Sequence, residues 1–396
     1  MRLAPFIAAL AMAALLAPGL AAQEAKVTVR AAILKVERPR PLPISRLDLP
    51  AADEGFAGGR LATADNATTG RFLGHDYETL EVTAKPEEAA AELDALAGQG
   101  VGIVVAIAAA EDLLALADHA AGREMLILNA AAPDDRLRVT DCRANVMHVA
   151  PSRAMLADGL AQYLVWKKWT DWLLVSGSHP EDRLKAEALK RAAAKFGAKV
   201  VEELVFEDTG GARRSDSGHV LVQRQIPVFM QRAREHDVVV VADESQVFGA
   251  YIPFRTWEPR PVAGDAGLRA RTWHPAHESY GATQLQTRFE KLTHRWMSDL
   301  DYQVWLALRA VGEAVTRTNS AELADIRTHL LAPEFQLGGF KGQALSFRPW
   351  NHQLRHGILV ADERLVVTVS PQDEFLHQHT RLDTLGFDAP ETRCAM

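Results

Sequence analysis

Polar side chains that directly follow apolar segments are the best candidates in this sequence for binding a small molecule. Ser176, Ser178 and His179 come after the apolar run Trp172–Val175, which has the composition of a strand buried on both faces. In an open α/β sheet, ligands bind in the crevice outside the carboxyl ends of the strands. The turn after this run is therefore predicted to form one wall of a ligand site.

Two acids and one amide occupy the same kind of position elsewhere in the chain. Asp243 and Glu244 follow the run VVVVA at 238–242, and at least one of them is expected to point into the site. The alternative is that an acid here binds backbone donors at the start of a helix. Asn129 is the only polar side chain at the end of the strand predicted for Glu124–Asn129, so it is a further candidate.

An aromatic and imidazole cluster, WHPAHE, spans residues 273–278. It differs from the HExxH zinc signature, whose histidines lie four residues apart on a helix that Pro275 would interrupt. A hinge or ligand-stacking element, a metal site and an ordinary surface loop all remain possible interpretations. Trp273 and His274 are kept as candidate ligand contacts, and no metal is assigned.

The sequence contains no recognisable catalytic motif. It lacks a G-x-S-x-G nucleophile elbow, and Ser217-Gly218-His219 has no acid placed beside it. The run GQGVG at 98–102 precedes a predicted strand, whereas dinucleotide-binding glycines follow a strand and open a helix. We therefore predict a protein that binds without a cofactor and is not an enzyme, with a hydrolase as the least favoured alternative.

The candidate residues lie in a chain that alternates strands and helices. Residues 171–206 form a complete strand–helix–strand unit, in which Pro180 suits the first helical turn and Gly197 the helix end. Similar alternation occupies the region before residue 150, and a second series follows it. This order predicts two doubly wound α/β lobes with parallel sheets. Between the first strand and first helix, the proline-rich stretch at 36–60 is a candidate lid or rim, or merely a solvated loop.

Composition and the N-terminal residues indicate an exported globular protein. The net charge of −7 and the absence of a basic patch exclude nucleic acid as a partner. Met1–Ala22 has a positive start, an apolar stretch and a small-residue cleavage site, which predicts a signal peptide removed after about Ala22. A periplasmic location follows.

In an exported chain, Cys142 and Cys394 are expected to form a disulfide, although two inert buried thiols are the alternative.

Five segments carry a likeness to a known family. They are LATADNATTGRFLG at 61–74, SRAMLADGLAQYL at 152–164, FGAKVV at 196–201, DYQVWLALRAVGEAV at 301–315 and FQLGGFKGQALSF at 335–347. In this order they resemble the type I periplasmic solute-binding proteins of ABC importers, in the branched-chain amino-acid branch. The resemblance covers nearly the whole predicted mature chain, with few identities. Within that family, the alanine-rich first lobe and Cys142 are similar to the branch that accompanies PQQ-dependent alcohol dehydrogenase systems.

This resemblance implies two hinged Rossmann-like lobes that close on a ligand. The first lobe would comprise 26–147 with 277–335, and the second 148–276 with 336–370. Residues 371–396 would form a tail that packs back on the first lobe. The chain would deliver a small molecule to an ABC permease in the inner membrane. An alternative function is an accessory or sensor protein that docks on a periplasmic quinoprotein dehydrogenase or a receptor.

The chain departs from the amino-acid-binding pattern of that family in the first lobe. Members of the family present hydroxyls after the third and fourth strands, whereas this chain has Ala106–Ala110 and Asn129–Ala132 there. An alanine side chain cannot pair a buried charge, and an unpaired buried charge is costly. The expected ligand therefore has an apolar or neutral face towards the first lobe and is not a simple zwitterionic amino acid.

Overall fold

The computed structural model describes residues 26–39, 42–210 and 218–394. The predicted signal peptide lies outside these residues. Among the described residues, no helix is long and apolar enough to cross a membrane.

The first lobe is built on a parallel sheet with the strand order β2-β1-β3-β4-β5. Alternate residues of β1 face opposite sides of this sheet, as strand geometry requires. Val29, Ala31 and Ile33 join one buried cluster, which also contains residues of the helices at 56–73 and 299–318. Ala32 and Leu34 join the cluster under the helices at 89–98 and 110–119. The elements are β1 (Val27–Val36), α1 (Phe56–Leu73), β2 (His75–Ala84), α2 (Ala89–Gly98), β3 (Ile103–Ile107), α3 (Ala110–His119), β4 (Leu126–Asn129), α4 (Arg136–Val139) and β5 (Val146–His148).

The second lobe has a parallel sheet in the order β7-β6-β8-β9. Its central strands are fully buried on both faces, because Trp172 and Leu174 pack on one side and Leu173 and Val175 on the other. The strand–helix–strand unit predicted for 171–206 is confirmed. The elements are α5 (Arg153–Trp166), β6 (Asp171–Gly177), α6 (Pro180–Phe196), β7 (Lys199–Phe206), α7 (Gly218–Met230), β8 (Val238–Ala242), β9 (Val262–Gly264) and β10 (Arg269–Arg271).

The rest of the chain adds helices to the first lobe and two small antiparallel sheets, β11-β12-β13 and β10-β14-β15. Leu337, Leu345 and Leu354 belong to the core cluster of the first sheet, whereas Val360 belongs to a cluster of the second. The core contacts therefore place β11–β13 with the first lobe, and the predicted lobe boundaries stay a prediction. The elements are α8 (Ala282–Thr293), α9 (Asp299–Thr318), α10 (Leu323–Leu331), β11 (Leu337–Gly338), β12 (Ala344–Phe347), β13 (Leu354–Arg355), β14 (Ile358–Ala361) and β15 (Val366–Ser370).

The C-terminal tail contacts both lobes. Asp383 accepts a hydrogen bond from the buried Arg348, and the backbone NH of Gly386 donates to Asp158 on α5 at 2.8 Å. Further along, Cys394 forms a disulfide with Cys142, as expected from the two-cysteine composition. The tail therefore contacts a second-lobe helix before it reaches the first lobe.

We expect the double variant Cys142→Ser/Cys394→Ser to unfold with a free energy lower by about 2 to 5 kcal/mol, because the disulfide closes a long loop in the unfolded chain. The two cysteines are separated by 252 residues in sequence. Urea denaturation under non-reducing conditions measures the difference. The wild type in reducing agent serves as the control and should match the variant; equal stability of the oxidised wild type and the variant would contradict the prediction.

Candidate functional site

An open crevice of about 1550 Å³ lies between the two lobes. The first lobe contributes residues from the segment before α1 and from the connection between α8 and α9. The second lobe contributes the loops after β6 and β8, at the carboxyl ends of central strands, where the sequence predicts a ligand wall. The lining residues include Leu47, Leu49 and Glu54, Trp296 and Met297, His179 and Glu181, Glu244–Gln246, Arg271 and His274, and Glu363 and Arg364.

The second-lobe wall depends on the buried carboxylate of Asp182, in the first turn of α6. One carboxylate oxygen accepts from the backbone NH of Ser245 at 2.8 Å, and the other accepts from the Ser245 hydroxyl at 2.7 Å. The backbone NH of His179 also donates to Asp182. Burial raises the pKa of Asp182, and these donated bonds oppose that rise. One carboxylate thus joins the loop after β6 to the loop after β8.

Asp243 organises the next part of the same wall. Its carboxylate accepts from the backbone NH groups of Val247, Phe248 and Gly249 at 2.9, 3.0 and 2.6 Å. The side chain is only 4% exposed, and burial raises its pKa to about 6 despite the three backbone bonds. This is the alternative interpretation given above, in which an acid after a strand satisfies backbone donors.

The side chains that reach the crevice from this wall are mainly charged. His179 pairs with Asp208 at 2.8 Å, and that hydrogen bond raises the pKa of the imidazole. Glu244 accepts a 2.6 Å bond from Arg153, a cation that also pairs with Asp134 at 3.2 Å. Burial raises the pKa of Glu244, and Arg153 opposes the shift. The wall can therefore supply acidic groups and an imidazole to a ligand.

The first-lobe wall depends on another buried acid, Asp301. Its carboxylate accepts from the backbone NH of Gly55 at 2.8 Å and from both terminal nitrogens of Arg295, at 2.6 and 3.0 Å. It also completes a capping box with Ser298 at the start of α9. The segment before α1 and the segment before α9 are therefore tied to one carboxylate.

The segment before α1 contacts the end of β3, beside one of the two alanine loops. A Cβ atom at Gly55 would come within 2.5 Å of Ile107 Cδ1, so this segment lies directly on the end of β3. Ala106, Ala130 and Ala132 are buried, whereas Ala109 is exposed, and no residue of either loop is among those that line the crevice. The crevice lining therefore gives no support to the expectation that these loops present an apolar face to the ligand, and that expectation stays a prediction.

The WHPAHE cluster divides between the core and the crevice. Trp273 is buried, stacks on Tyr302 with ring centroids 4.8 Å apart and donates to Gln286 at 2.9 Å. His274 lines the crevice, and burial lowers its pKa. His277 shares a 2.8 Å hydrogen bond with the carbonyl of Phe340. Among the described residues, no group of three or more acids, histidines or cysteines could hold a metal ion.

Three of the predicted ligand contacts, His179, Glu244 and His274, line the crevice, and their contact with a ligand stays a prediction. The other five do not line it, because each is used inside the fold. Ser176 is buried in the sheet between Val205 and Ala242, and the Ser178 hydroxyl accepts from the backbone of Asp208. Asn129 is 0% exposed, and its side-chain amide forms hydrogen bonds with Ala131, Ala132 and His148. Asp243 and Trp273 are accounted for above.

Sequence reasoning missed the residues of the first-lobe wall. Leu47 and Leu49 lie in the proline-rich segment that was a candidate lid or rim, with a solvated loop as the alternative, so that segment was the available signal. Trp296 was not a candidate. It lies in the connection after α8, which ends at Thr293 because His294 adopts a left-handed conformation with φ of 57°.

We expect the substitution Asp243→Asn to change how stability depends on pH. Because the folded protein binds the Asp243 proton more tightly than the unfolded chain, the wild type should lose stability relative to the variant as pH rises from about 4 to 7. Because the pKa of Asp243 in the folded protein is about 6, the difference in unfolding free energy between wild type and variant should change by at most about 3 kcal/mol over this range. Urea denaturation across this range measures it. The exposed acid variant Glu87→Gln is the matched control, and a pH-independent difference for Asp243→Asn would contradict the prediction.

Comparisons with known proteins agree with this architecture. A family model described as periplasmic binding protein matches residues 54–213. No curated protein sequence is significantly similar to the chain. The chain is structurally similar to a branched-chain amino acid ABC transporter periplasmic ligand-binding protein from Burkholderia xenovorans. That comparison has a TM-score of 0.72 and 14% identity, and covers 93% of this chain and 99% of the other.

Two further solved structures are similar over most of their length. One is an ABC transporter substrate-binding protein from Sphaerobacter thermophilus, with a TM-score of 0.70, 17% identity and coverage of 91% and 100% of the two chains. The other is an ABC transporter solute-binding protein from R. palustris in complex with benzoate, with a TM-score of 0.62, 10% identity and coverage of 86% and 96%. The chain therefore has the fold of the type I periplasmic binding proteins, with two parallel-sheet lobes on either side of a crevice.

Proposed function

We propose that this protein is the periplasmic substrate-binding component of an ABC importer and captures a small molecule between its lobes. The observation that carries the proposal is the crevice itself. Its second-lobe wall consists of loops at the carboxyl ends of β6 and β8, where α/β sheets bind ligands. A volume of about 1550 Å³ exceeds the range of about 300 to 1,000 Å³ of most small-molecule sites, which suits lobes that stand apart before they close.

The similar structures support a transport role. They carry the names of ABC transporter binding proteins, and one of them holds benzoate. For this chain the corresponding partner is an inner-membrane permease, and the predicted signal peptide would place the protein in the periplasm. The predicted quinoprotein dehydrogenase partner stays a prediction.

Lobe closure gives the proposal its physical mechanism. A ligand that contacts both walls binds the closed state better than the open one, and this difference in affinity shifts the population towards closure. Arg153 already joins Glu244 of the second-lobe wall to Asp134, which follows β4 of the first lobe. Arg153 thus connects the two lobes through ion pairs to acids on both, next to the crevice wall formed by Glu244.

We expect at least one member of a panel of amino acids, benzoates and other small metabolites to raise the melting temperature of the purified protein. At about one hundred times Kd, a ligand adds about 3 kcal/mol to the unfolding free energy. Thermal-shift measurements detect this, small-angle scattering should show a smaller radius of gyration, and native mass spectrometry should identify the bound mass.

A charge reversal in the crevice wall tests whether binding occurs between the lobes. Glu181→Arg should abolish the thermal shift, because Glu181 lines the crevice. Glu187→Arg, on the exposed face of the same helix, is the matched control and should leave the shift unchanged. The absence of any shift or compaction across the panel would overturn the proposed function.

A further inference from the structure

The first-lobe rim of the crevice carries large apolar side chains that are exposed to water. Leu47 is 94% exposed, Trp296 is 70% exposed, and Leu49, two residues after Leu47, is 45% exposed. All three line the crevice. Single exposed apolar residues are ordinary, whereas a group of them on the wall of one concave site indicates a surface that becomes covered in function. We call these three residues the apolar rim.

The surrounding structure holds the apolar rim in place. Leu47 lies in the short turn Arg46–Asp48, where the hydroxyl of Ser45 accepts a hydrogen bond from the backbone NH of Leu47 at 3.1 Å. Trp296 follows Arg295, whose side chain is bound by Asp53 and Asp301 and also donates to the carbonyl of Trp296 at 3.1 Å. Its other neighbour, Met297, is 1% exposed. The tryptophan is therefore exposed on a constrained backbone.

The opposite wall differs in chemistry. It presents His179, Glu181, Glu244, Ser245 and Gln246, all of them polar. A ligand that spans the crevice would meet the apolar rim on the first lobe, with Asp48, Glu54 and Arg295 nearby, and polar or charged side chains from these loops of the second lobe. Burying the apolar part of a ligand against the rim would remove apolar surface from water, which favours binding. The face of the Trp296 indole also favours contact with an aromatic ring.

We propose, on the basis of the function proposed above, that the ligand is an amphipathic organic molecule. Its apolar body, preferably an aromatic ring, lies on Leu47, Leu49 and Trp296, and its polar end faces the second-lobe wall. Leu47 and Trp296 are then specificity-determining residues, which select ligands by the size of the apolar body. This selection is distinct from recognition of the polar end.

Matched pairs of probes separate the two contributions. Each pair shares a polar end and differs in a phenyl group: acetate and phenylacetate, ethylamine and phenethylamine, alanine and phenylalanine. Titration calorimetry should show at least one phenyl-bearing probe binding at least about tenfold more tightly than its partner. Trp296→Ala and Leu47→Ala should each weaken that probe by about tenfold, whereas Trp296→Phe should retain most of the affinity because it keeps an aromatic face.

Phe72→Ala is the control variant, because Phe72 is 88% exposed but lies at the end of α1 and does not line the crevice. It should bind like the wild type. Equal binding of the probes within every pair, or unchanged affinity in both Leu47→Ala and Trp296→Ala, would overturn the inference while leaving the proposed function intact. If neither these probes nor the wider metabolite panel bind, the proposed function fails and this inference fails with it. Circular dichroism of each variant confirms that a loss of affinity is not a loss of fold.

Discussion

Buried carboxylates that accept backbone hydrogen bonds are the constraint on which the crevice depends. Parallel strands end in loops whose NH groups have no partner in the sheet, and a buried NH without a partner is costly. In the second lobe, Asp182 and Asp243 bind the NH groups of residues 245 and 247–249. In the first lobe, Asp301 binds the NH of Gly55 and the guanidinium of Arg295. Each wall has a fixed shape because an acid inside it satisfies its backbone.

The acidic residues of the walls fall into two groups, one that stabilises loops and one that lines the crevice. Asp182, Asp243 and Asp301 are buried and hold loops, and the neighbouring Glu181, Glu244 and Glu54 line the crevice. Burial raises the pKa of Asp243 to about 6, which shows that desolvation outweighs the three backbone bonds it accepts. Near neutral pH, burial therefore destabilises the ionised Asp243 carboxylate, but the hydrogen bonds of that carboxylate fix the position of the loop. A ligand would then meet preformed walls, so little of its binding free energy would be spent on ordering them.

The two lobes are connected by an ion-pair network and by the tail. Arg153 pairs with acids from both lobes, and the disulfide joins Cys394 to the first lobe after the tail has contacted α5. Under the proposed function, closure would be a rotation of one lobe against the other about these connections. The apolar rim lies on the first lobe and the polar wall on the second. Closure would therefore bring two chemically different surfaces onto one ligand.

The sequence by itself determined the layered α/β architecture, because the signals for it are local. Apolar runs such as Trp172–Val175, a proline at a helix start and a glycine at a helix end each act within a few residues. The place of the second-lobe wall was predictable for the same reason, since strand ends of parallel sheets share one edge.

Only the tertiary structure decided which side chains reach the crevice. Trp273 and His274 are neighbours in sequence, yet one stacks in the core on Tyr302 and the other lines the crevice. The segment before α1 lies against the end of β3, where Asp301, 246 residues away, binds the backbone NH of Gly55. Such contacts join residues that no local pattern relates. The direction of a side chain at a strand end depends on which groups, near or distant in sequence, satisfy its hydrogen bonds.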